Sequence, residues 1–196
     1  MLEQVPTPPE PFGFKTGWIA VRSSDLKAVA AALPAVSATP VTWREGVEAA
    51  YQGRGVFVTP PVNGWICLVG RWAMPRGDQD PLRSLGPILI DLSARFGEAQ
   101  SFATHRVIEY HHWIRAKQGK IERCFAYLGE SGTVLCQSGT PTDSEKKLRF
   151  GSAPENQWRP SEDEVMKVAG SWSIDPSTLS AKSAPPANGM LVQVKK

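Results

Sequence analysis

The chain has 196 residues, 41% of them hydrophobic and 21% charged, as expected for one globular domain large enough to bury a core. Its 22 lysines and arginines and 19 aspartates and glutamates leave a net charge of +3 without a basic block, which argues against nucleic acid binding. The longest nearly uncharged apolar run, residues 64–70, is far shorter than the ~20 residues of a membrane helix.

The N-terminus and the cysteines indicate the compartment. The first residues, MLEQVPTPPEPFGF, contain no signal-peptide pattern. Cys67, Cys124 and Cys136 have neither the spacing of a disulfide framework nor that of a zinc site. We therefore expect a cytoplasmic protein with three reduced cysteines, no bound metal and no membrane association.

The first half of the chain predicts alternating strands and helices behind a proline-rich N-terminal arm at residues 1–13. Ser24 is the expected cap of the first helix, and Thr42 with Glu45 has the spacing of a capping box. The predicted elements are a strand at 17–22, helices at 25–33 and 43–51, and a hairpin of strands at 54–59 and 65–70.

Residues 80–97 predict a longer helix, because apolar side chains recur every three or four residues. An aspartate and a proline open it, and Gly97 closes it. The internal Gly86-Pro87 pair is expected to kink or restart the helix.

Residues 100–138 predict a meander of about three antiparallel strands, with turns at 118–119 and 129–132. The first turn would place Trp113 opposite Cys124 and His111 opposite Ala126. The second would place Phe125 opposite Cys136, so that Cys124 and Cys136 lie on opposite faces of the sheet.

Two further capping boxes, TDSE and SEDE, predict helices at 143–149 and 162–171. Residues 14–179 are thus expected to form a single α+β domain: an antiparallel sheet with a C-terminal meander, packed by several short helices. Residues 180–196 are predicted as a linker followed by a possible edge strand.

All three histidines lie in the segment THRVIEYHHW. Strand alternation would put His105, Glu109, His111 and Trp113 on one face. Glu109 and His111 would be roughly 6.6 Å apart, close enough for an acid–base pair, whereas His105 at about 13 Å is out of reach of a shared metal. The alternative is cross-strand packing with surface hydrogen bonds.

Other catalytic signals are absent. The chain has no dinucleotide-binding, phosphate-loop, zinc-protease or calcium-loop motif, so no cofactor is predicted. Cys124 lies near His112 in the predicted register, but it has no nucleophile-elbow context, and burial as a small apolar side chain explains it better. We therefore predict no catalytic residues.

Seven tryptophans are many for a chain of this length, and tryptophan is enriched both in cores and at binding hot spots. Trp72, Trp158 and Trp172 lie among loop residues and are predicted to contact a partner, with burial by the chain's own tail as the alternative. Glu109, His111 and Trp113 complete the set of predicted partner-binding residues.

In build and size the whole chain resembles immunity proteins of bacterial toxin systems, and the segments FGEAQSFATHRVIEYHHW and FAYLGESG are similar to uncharacterised bacterial proteins. The resemblance implies a protein that binds and occludes a secreted toxin or effector, without catalytic activity. A net charge of +3 points away from a nuclease toxin, whose inhibitors tend to be acidic. The alternative is a small-molecule-binding protein or hydrolase-type enzyme that uses the Glu109 and His111 region. The oligomeric state is left open.

Overall fold

A computed structural model describes residues 5–75, 79–148 and 154–194. Within them the chain forms one antiparallel sheet of nine strands in the order β2-β9-β3-β4-β1-β5-β6-β7-β8. The strands are β1 (Thr16–Arg22), β2 (Ala35–Val41), β3 (Val56–Val58), β4 (Trp65–Val69), β5 (Glu98–His105), β6 (Tyr110–Lys117), β7 (Lys120–Leu128), β8 (Thr133–Ser138) and β9 (Gly189–Val194). The predicted α+β class and C-terminal meander are confirmed.

Helices cover both faces of the sheet. They are α1 (Leu26–Ala31), α2 (Trp43–Tyr51), α3 (Pro81–Phe96), α4 (Asp143–Lys146) and α5 (Glu162–Trp172). The apolar residues of α1 and α3 pack into one buried cluster with the sheet, and those of α2 and α5 pack into another on the opposite face. None of the helices in the described residues has the length and apolar composition needed to cross a bilayer.

Capping chemistry sets the helix boundaries. Thr42 accepts from the Glu45 amide while the Glu45 carboxylate accepts from the Thr42 amide, so the predicted capping box of α2 is confirmed. The cap of α1 is Asp25 rather than Ser24, because the Asp25 carboxylate accepts from Ala28 N at 2.9 Å. Helix α3 continues through Pro87 and does not restart there.

The meander has four strands rather than about three, because a turn at residues 106–109 separates β5 from β6. Glu109 has a φ of +50°, a left-handed conformation that a strand does not contain. His105 therefore ends β5 opposite Tyr110 and lies on the α3 side of the sheet, whereas His111 lies on the α5 side. The predicted common face for His105 and His111 is wrong.

The turn at 118–119 is confirmed, with positive φ at both Gln118 and Gly119. A bulge in β7 then shifts the pairing by one residue, so Trp113 faces Phe125 and Ile114 faces Cys124. The predicted oppositions of Trp113 with Cys124 and His111 with Ala126 are each one residue out.

A second bulge, in β8, corrects the prediction for the cysteines. It places Cys136 opposite Ala126 instead of Phe125, on the same face as Cys124. Cys124 and Cys136 form a disulfide with a Cα–Cα distance of 6.2 Å, within the usual range. The expectation of three reduced cysteines is wrong in this structure.

The two ends of the chain pack on the body. Thr7 forms an isolated β-bridge with Ala187, and the Thr7 hydroxyl accepts from Trp43 N at 3.1 Å. Phe12 is buried in the core. The C-terminal strand was predicted at the edge of the sheet. The structure corrects this, because β9 lies between β2 and β3. The edge strand on this side of the sheet is β2, which was not predicted because its residues are small and include Pro40. Residues 1–4, 149 and 195–196 of the predicted arm, helix and tail lie outside the described residues.

Candidate functional site

A cleft of about 470 Å³ opens beside the N-terminus of α5. We call it the α5 cleft; its walls are Arg106, Glu109, His111, Tyr127 and residues 159–163. Two arginines and three carboxylates line it, the carboxylates being those of Glu109, Glu162 and Asp163. It is the place where the predicted candidates Glu109 and His111 come together.

The turn between β5 and β6 positions Glu109 at the cleft. Gly129 N donates to Glu109 O at 3.0 Å, which ties this turn to the end of β7. A Cβ atom on Gly129 would overlap the Glu109 side chain, so the glutamate lies directly against the glycine. The Glu109 carboxylate is therefore held at the wall of the cleft by the backbone of its neighbour.

A chain of hydrogen bonds crosses from α5 to His111. Thr104 donates its hydroxyl hydrogen to Glu162 Oε1 at 3.3 Å, and Thr104 Oγ1 lies 3.0 Å from His111 Nδ1. Since the hydroxyl has one hydrogen and an ionised carboxylate can only accept, Thr104 accepts from the Nδ1–H of His111. The Nε2 atom of His111 then carries a lone pair.

The environment keeps this imidazole neutral. Burial lowers the pKa of His111 to about 4, although the nearby Glu164 carboxylate opposes the shift. At neutral pH the ring therefore has one hydrogen, on Nδ1. Nε2 has no hydrogen-bond partner among the described residues, and His111, which is only 2% exposed, lines the cleft.

No hydrogen bond within the described residues joins Glu109 to His111, so the predicted acid–base pair does not form in this structure. The two residues share a cleft without sharing a proton. Arg106, Arg159, Glu162 and Asp163 also line this cleft, and sequence analysis did not select them. Glu162 and Asp163 had been assigned only to the start of a helix.

The predicted tryptophan contacts are corrected by burial. Trp113, Trp158 and Trp172 are 0%, 2% and 8% exposed. Trp113 stacks on Phe125 with ring centroids 4.8 Å apart, and the indole N–H of Trp172 donates to Thr142 and Ser144 at 3.2 Å. These three indoles are part of the core and do not form a contact surface in this fold.

Trp72 is half-buried against the α3 side of the sheet, and its indole nitrogen is buried without a partner among the described residues. It borders a second cavity, of about 700 Å³, which shares no lining residue with the α5 cleft. Of the six predicted partner-binding residues, only Glu109 and His111 line the α5 cleft.

His112 has a separate, buried environment. Its Nδ1 lies 2.9 Å from Tyr110 Oη and its Nε2 lies 3.0 Å from Ser101 Oγ, and all three residues are at most 1% exposed. Burial lowers the pKa of His112 to about 3 and raises that of Tyr110 above its usual range. A serine and a histidine that no substrate can reach serve as internal hydrogen-bonding groups.

Among the residues that the structure describes, one group of side chains has metal-ligand chemistry. The sulfurs of Cys124 and Cys136 and a carboxylate oxygen of Asp80 lie within 4.8 Å of one another. The disulfide removes both thiolates, and thiolates are what a zinc site of this kind requires. Cys67, the remaining cysteine, is buried, and burial raises the pKa of its thiol to about 12, so it is a poor nucleophile.

Comparisons with protein-family models, with curated proteins and with solved structures find no match to this chain.

Proposed function

We propose that the chain is a protein-binding module of the immunity type, which neutralises a bacterial toxin or effector by covering it, and that the α5 cleft holds the partner. One observation carries the proposal. Arg106, Glu109 and Asp163 are exposed charged residues in one cleft, and none forms an ion pair with another described residue. Complementary charges on a partner would steer it to this surface and fix its orientation.

The lining of the cleft favours a protein partner over a small molecule. Small-molecule pockets are lined mainly by apolar side chains with a few placed polar groups. In the α5 cleft only Tyr127 and Pro160 are not strongly polar or charged. Such a wall suits the polar and charged side chains of a protein surface.

The protonation state of His111 favours binding over catalysis. A general base is most effective when its pKa lies near the working pH. With a pKa of about 4, His111 is a weak base, and its Nδ1–H is already committed to Thr104. The serine at the cleft, Ser161, donates its hydroxyl to Glu164 at 2.6 Å, so it is not paired with the imidazole as a nucleophile would be.

The second candidate is a small-molecule-binding protein or hydrolase-type enzyme at the same cleft. The series of hydrogen bonds from Glu162 through Thr104 to His111 favours this second candidate, because a carboxylate that orients an imidazole is common in active sites. Turnover of a substrate by the purified chain, lost in His111→Gln without loss of folding, would establish this candidate instead.

The cytoplasm is the proposed compartment, with no nucleic acid, membrane or cofactor as partner. In a reducing cytosol, Cys124 and Cys136 would be thiols, although their geometry allows the disulfide. Because all three cysteines are buried in the folded chain, the test is to quench the cells in acid and alkylate the thiols in denaturant. Three labelled cysteines support the cytoplasm, and a protected Cys124–Cys136 pair contradicts it.

The binding proposal is tested by recovering the partner on the tagged chain from its native host and measuring its affinity. Co-expression with the chain should also relieve the partner's toxicity. Arg106→Glu and Asp163→Lys should each weaken binding about 30-fold, which corresponds to ~2 kcal/mol for a contact at the centre of an interface. Lys27→Glu, on α1 at the opposite face, is the matched control and should bind normally.

Two outcomes would contradict the proposal. The first is a chain that recovers no specific partner and relieves no toxicity. The second is a partner whose affinity is unchanged by both cleft reversals, since that partner would bind elsewhere.

A further inference from the structure

We infer that the α5 cleft receives a cationic side chain, an arginine or lysine, from the partner. The inference rests on the proposed function and deepens it by naming the chemistry of the group that enters. Its basis is a set of hydrogen-bond acceptors at the cleft that have no partner among the described residues.

His111 supplies the first acceptor. Its Nδ1–H is used by Thr104, whose own hydrogen is used by Glu162. Nε2 can therefore only accept, and it has no donor among the described residues. A group that enters the cleft must present an N–H or O–H to this atom.

The exposed carboxylates extend the same requirement. The carboxylates of Glu109 and Asp163 are acceptors without an ion-pair partner in the described part of the chain. Glu162 also carries a negative charge at the cleft and accepts from Thr104. Anionic and acceptor groups favour a donor that is positively charged, because charge-assisted hydrogen bonds are about twice as strong as neutral ones.

Of the two arginines of the cleft, Arg159 is held by contacts with its own neighbours. Arg159 donates through Nη1 to Trp158 O at 2.8 Å and to Asn156 O at 3.2 Å, and its guanidinium lies 5.1 Å from the centre of the Tyr127 ring. These contacts fix Arg159 against its own segment. Arg106 is exposed on the turn after β5, and it would favour an acidic residue next to the partner's basic one.

The inference can be tested without the partner, using Nα-acetyl-arginine methylamide as the probe. We expect it to bind with a dissociation constant of ~1 mM, about 4 kcal/mol, and to shift the ¹⁵N resonance of His111 Nε2 as that atom accepts a hydrogen bond. Nα-acetyl-citrulline methylamide keeps the shape without the charge, and Nα-acetyl-glutamate methylamide reverses the charge. Both should bind at least ~10-fold more weakly.

Variants locate the effect. Glu109→Gln combined with Asp163→Asn should weaken binding of the arginine probe about 10-fold, ~1.4 kcal/mol. Asp143→Asn removes an exposed carboxylate in α4, outside the cleft, and should leave binding unchanged.

Three results would overturn the inference: an unmoved His111 Nε2 resonance, equal binding of the citrulline probe, or preference for the glutamate probe. Each can occur while partner binding remains sensitive to Arg106→Glu, and then the proposed function stands without a cationic occupant. Conversely, binding of the arginine probe by a chain that recovers no partner would contradict the proposed function and would leave only the preference of the cleft for a cationic side chain.

Discussion

Arg123 and Glu145 form an ion pair that water does not reach. Arg123 Nη2 lies 2.8 Å from Glu145 Oε1, and the two side chains are 1% and 0% exposed. The same oxygen accepts from Trp113 Nε1 at 2.7 Å, while Glu145 Oε2 accepts from the amide of Thr142 in the capping box of α4. One carboxylate therefore fastens α4 to the centre of the meander.

Removing this carboxylate charge should be strongly destabilising. We expect Glu145→Gln to lower the free energy of unfolding by about 2–3 kcal/mol, because the buried Arg123 would lose one of its two carboxylate partners and keep only Glu155. Urea unfolding of the variant and the wild-type chain measures the difference. Asp143→Asn, which breaks an exposed pair with Lys146, should cost less than ~1 kcal/mol. Similar losses in the two variants would show that burial of the pair is not the cause.

Contacts within one turn of the chain were predictable from sequence, whereas contacts between distant residues such as Arg123 and Glu145 were not. The boundaries of α2 were predictable because Thr42 and Glu45 interact within one turn, and local chemistry is visible in sequence. The register of β7 was not, because the bulge accompanies an inward-facing Arg123 whose partner Glu145 is 22 residues away. A contact of that kind is decided by the assembled fold.

The residues of the candidate site were likewise predictable from sequence only in part. The histidine cluster directed attention to His111, which lines the α5 cleft, since a carboxylate and an imidazole close in sequence are a recognisable signal. Glu162 reaches it only because α5 packs on the sheet, 58 residues after Thr104. The count of tryptophans could not separate core from interface, and burial of Trp158 decided that question.

Two glycines provide a paired test of the turn after β8. Gly139 and Gly132 both have positive φ, of 75° and 67°. A Cβ atom on Gly139 would overlap the backbone carbonyl of Glu122, whereas one on Gly132 would meet nothing within 4 Å. Gly132→Ala should cost about 1–2 kcal/mol, the strain of a left-handed residue. Gly139→Ala should cost clearly more, and equal losses of unfolding free energy in denaturant would contradict the overlap.

The disulfide leads to a prediction on the purified chain. After air oxidation, denatured and unreduced protein should contain one free thiol, that of Cys67. The bridged cysteines are 12 residues apart, so reduction should lower stability by about 3 kcal/mol if the unfolded chain is the state mainly affected. Thiol titration and unfolding with and without reductant measure both. Three free thiols after oxidation would contradict the pairing.

The stability of the fold should also depend on pH below neutrality, because two buried histidines resist protonation. The pKa of His111 is about 4 and that of His112 about 3 in the folded chain, both below the usual 6.5. Between these values and 6.5 the unfolded chain binds more protons than the folded one, so stability rises with pH through this window. It is fully present above pH 6.5 and is lost as the pH falls toward 4.

The expected loss between pH 7 and pH 5 is about 2 kcal/mol for each histidine, or about 4 kcal/mol for the wild-type chain. Carboxylates contribute little in this interval, because their usual pKa values lie near 4. His111→Gln should remove about half of the dependence, since His112 is then the main buried imidazole left to protonate. Urea unfolding at pH 7, 6 and 5 measures the slope for both proteins. An unchanged slope in the variant, or no loss of stability in the wild type, would show that the fold does not oppose protonation of His111. The imidazole could then not be treated as neutral, and the acceptor role of Nε2 would have to be abandoned.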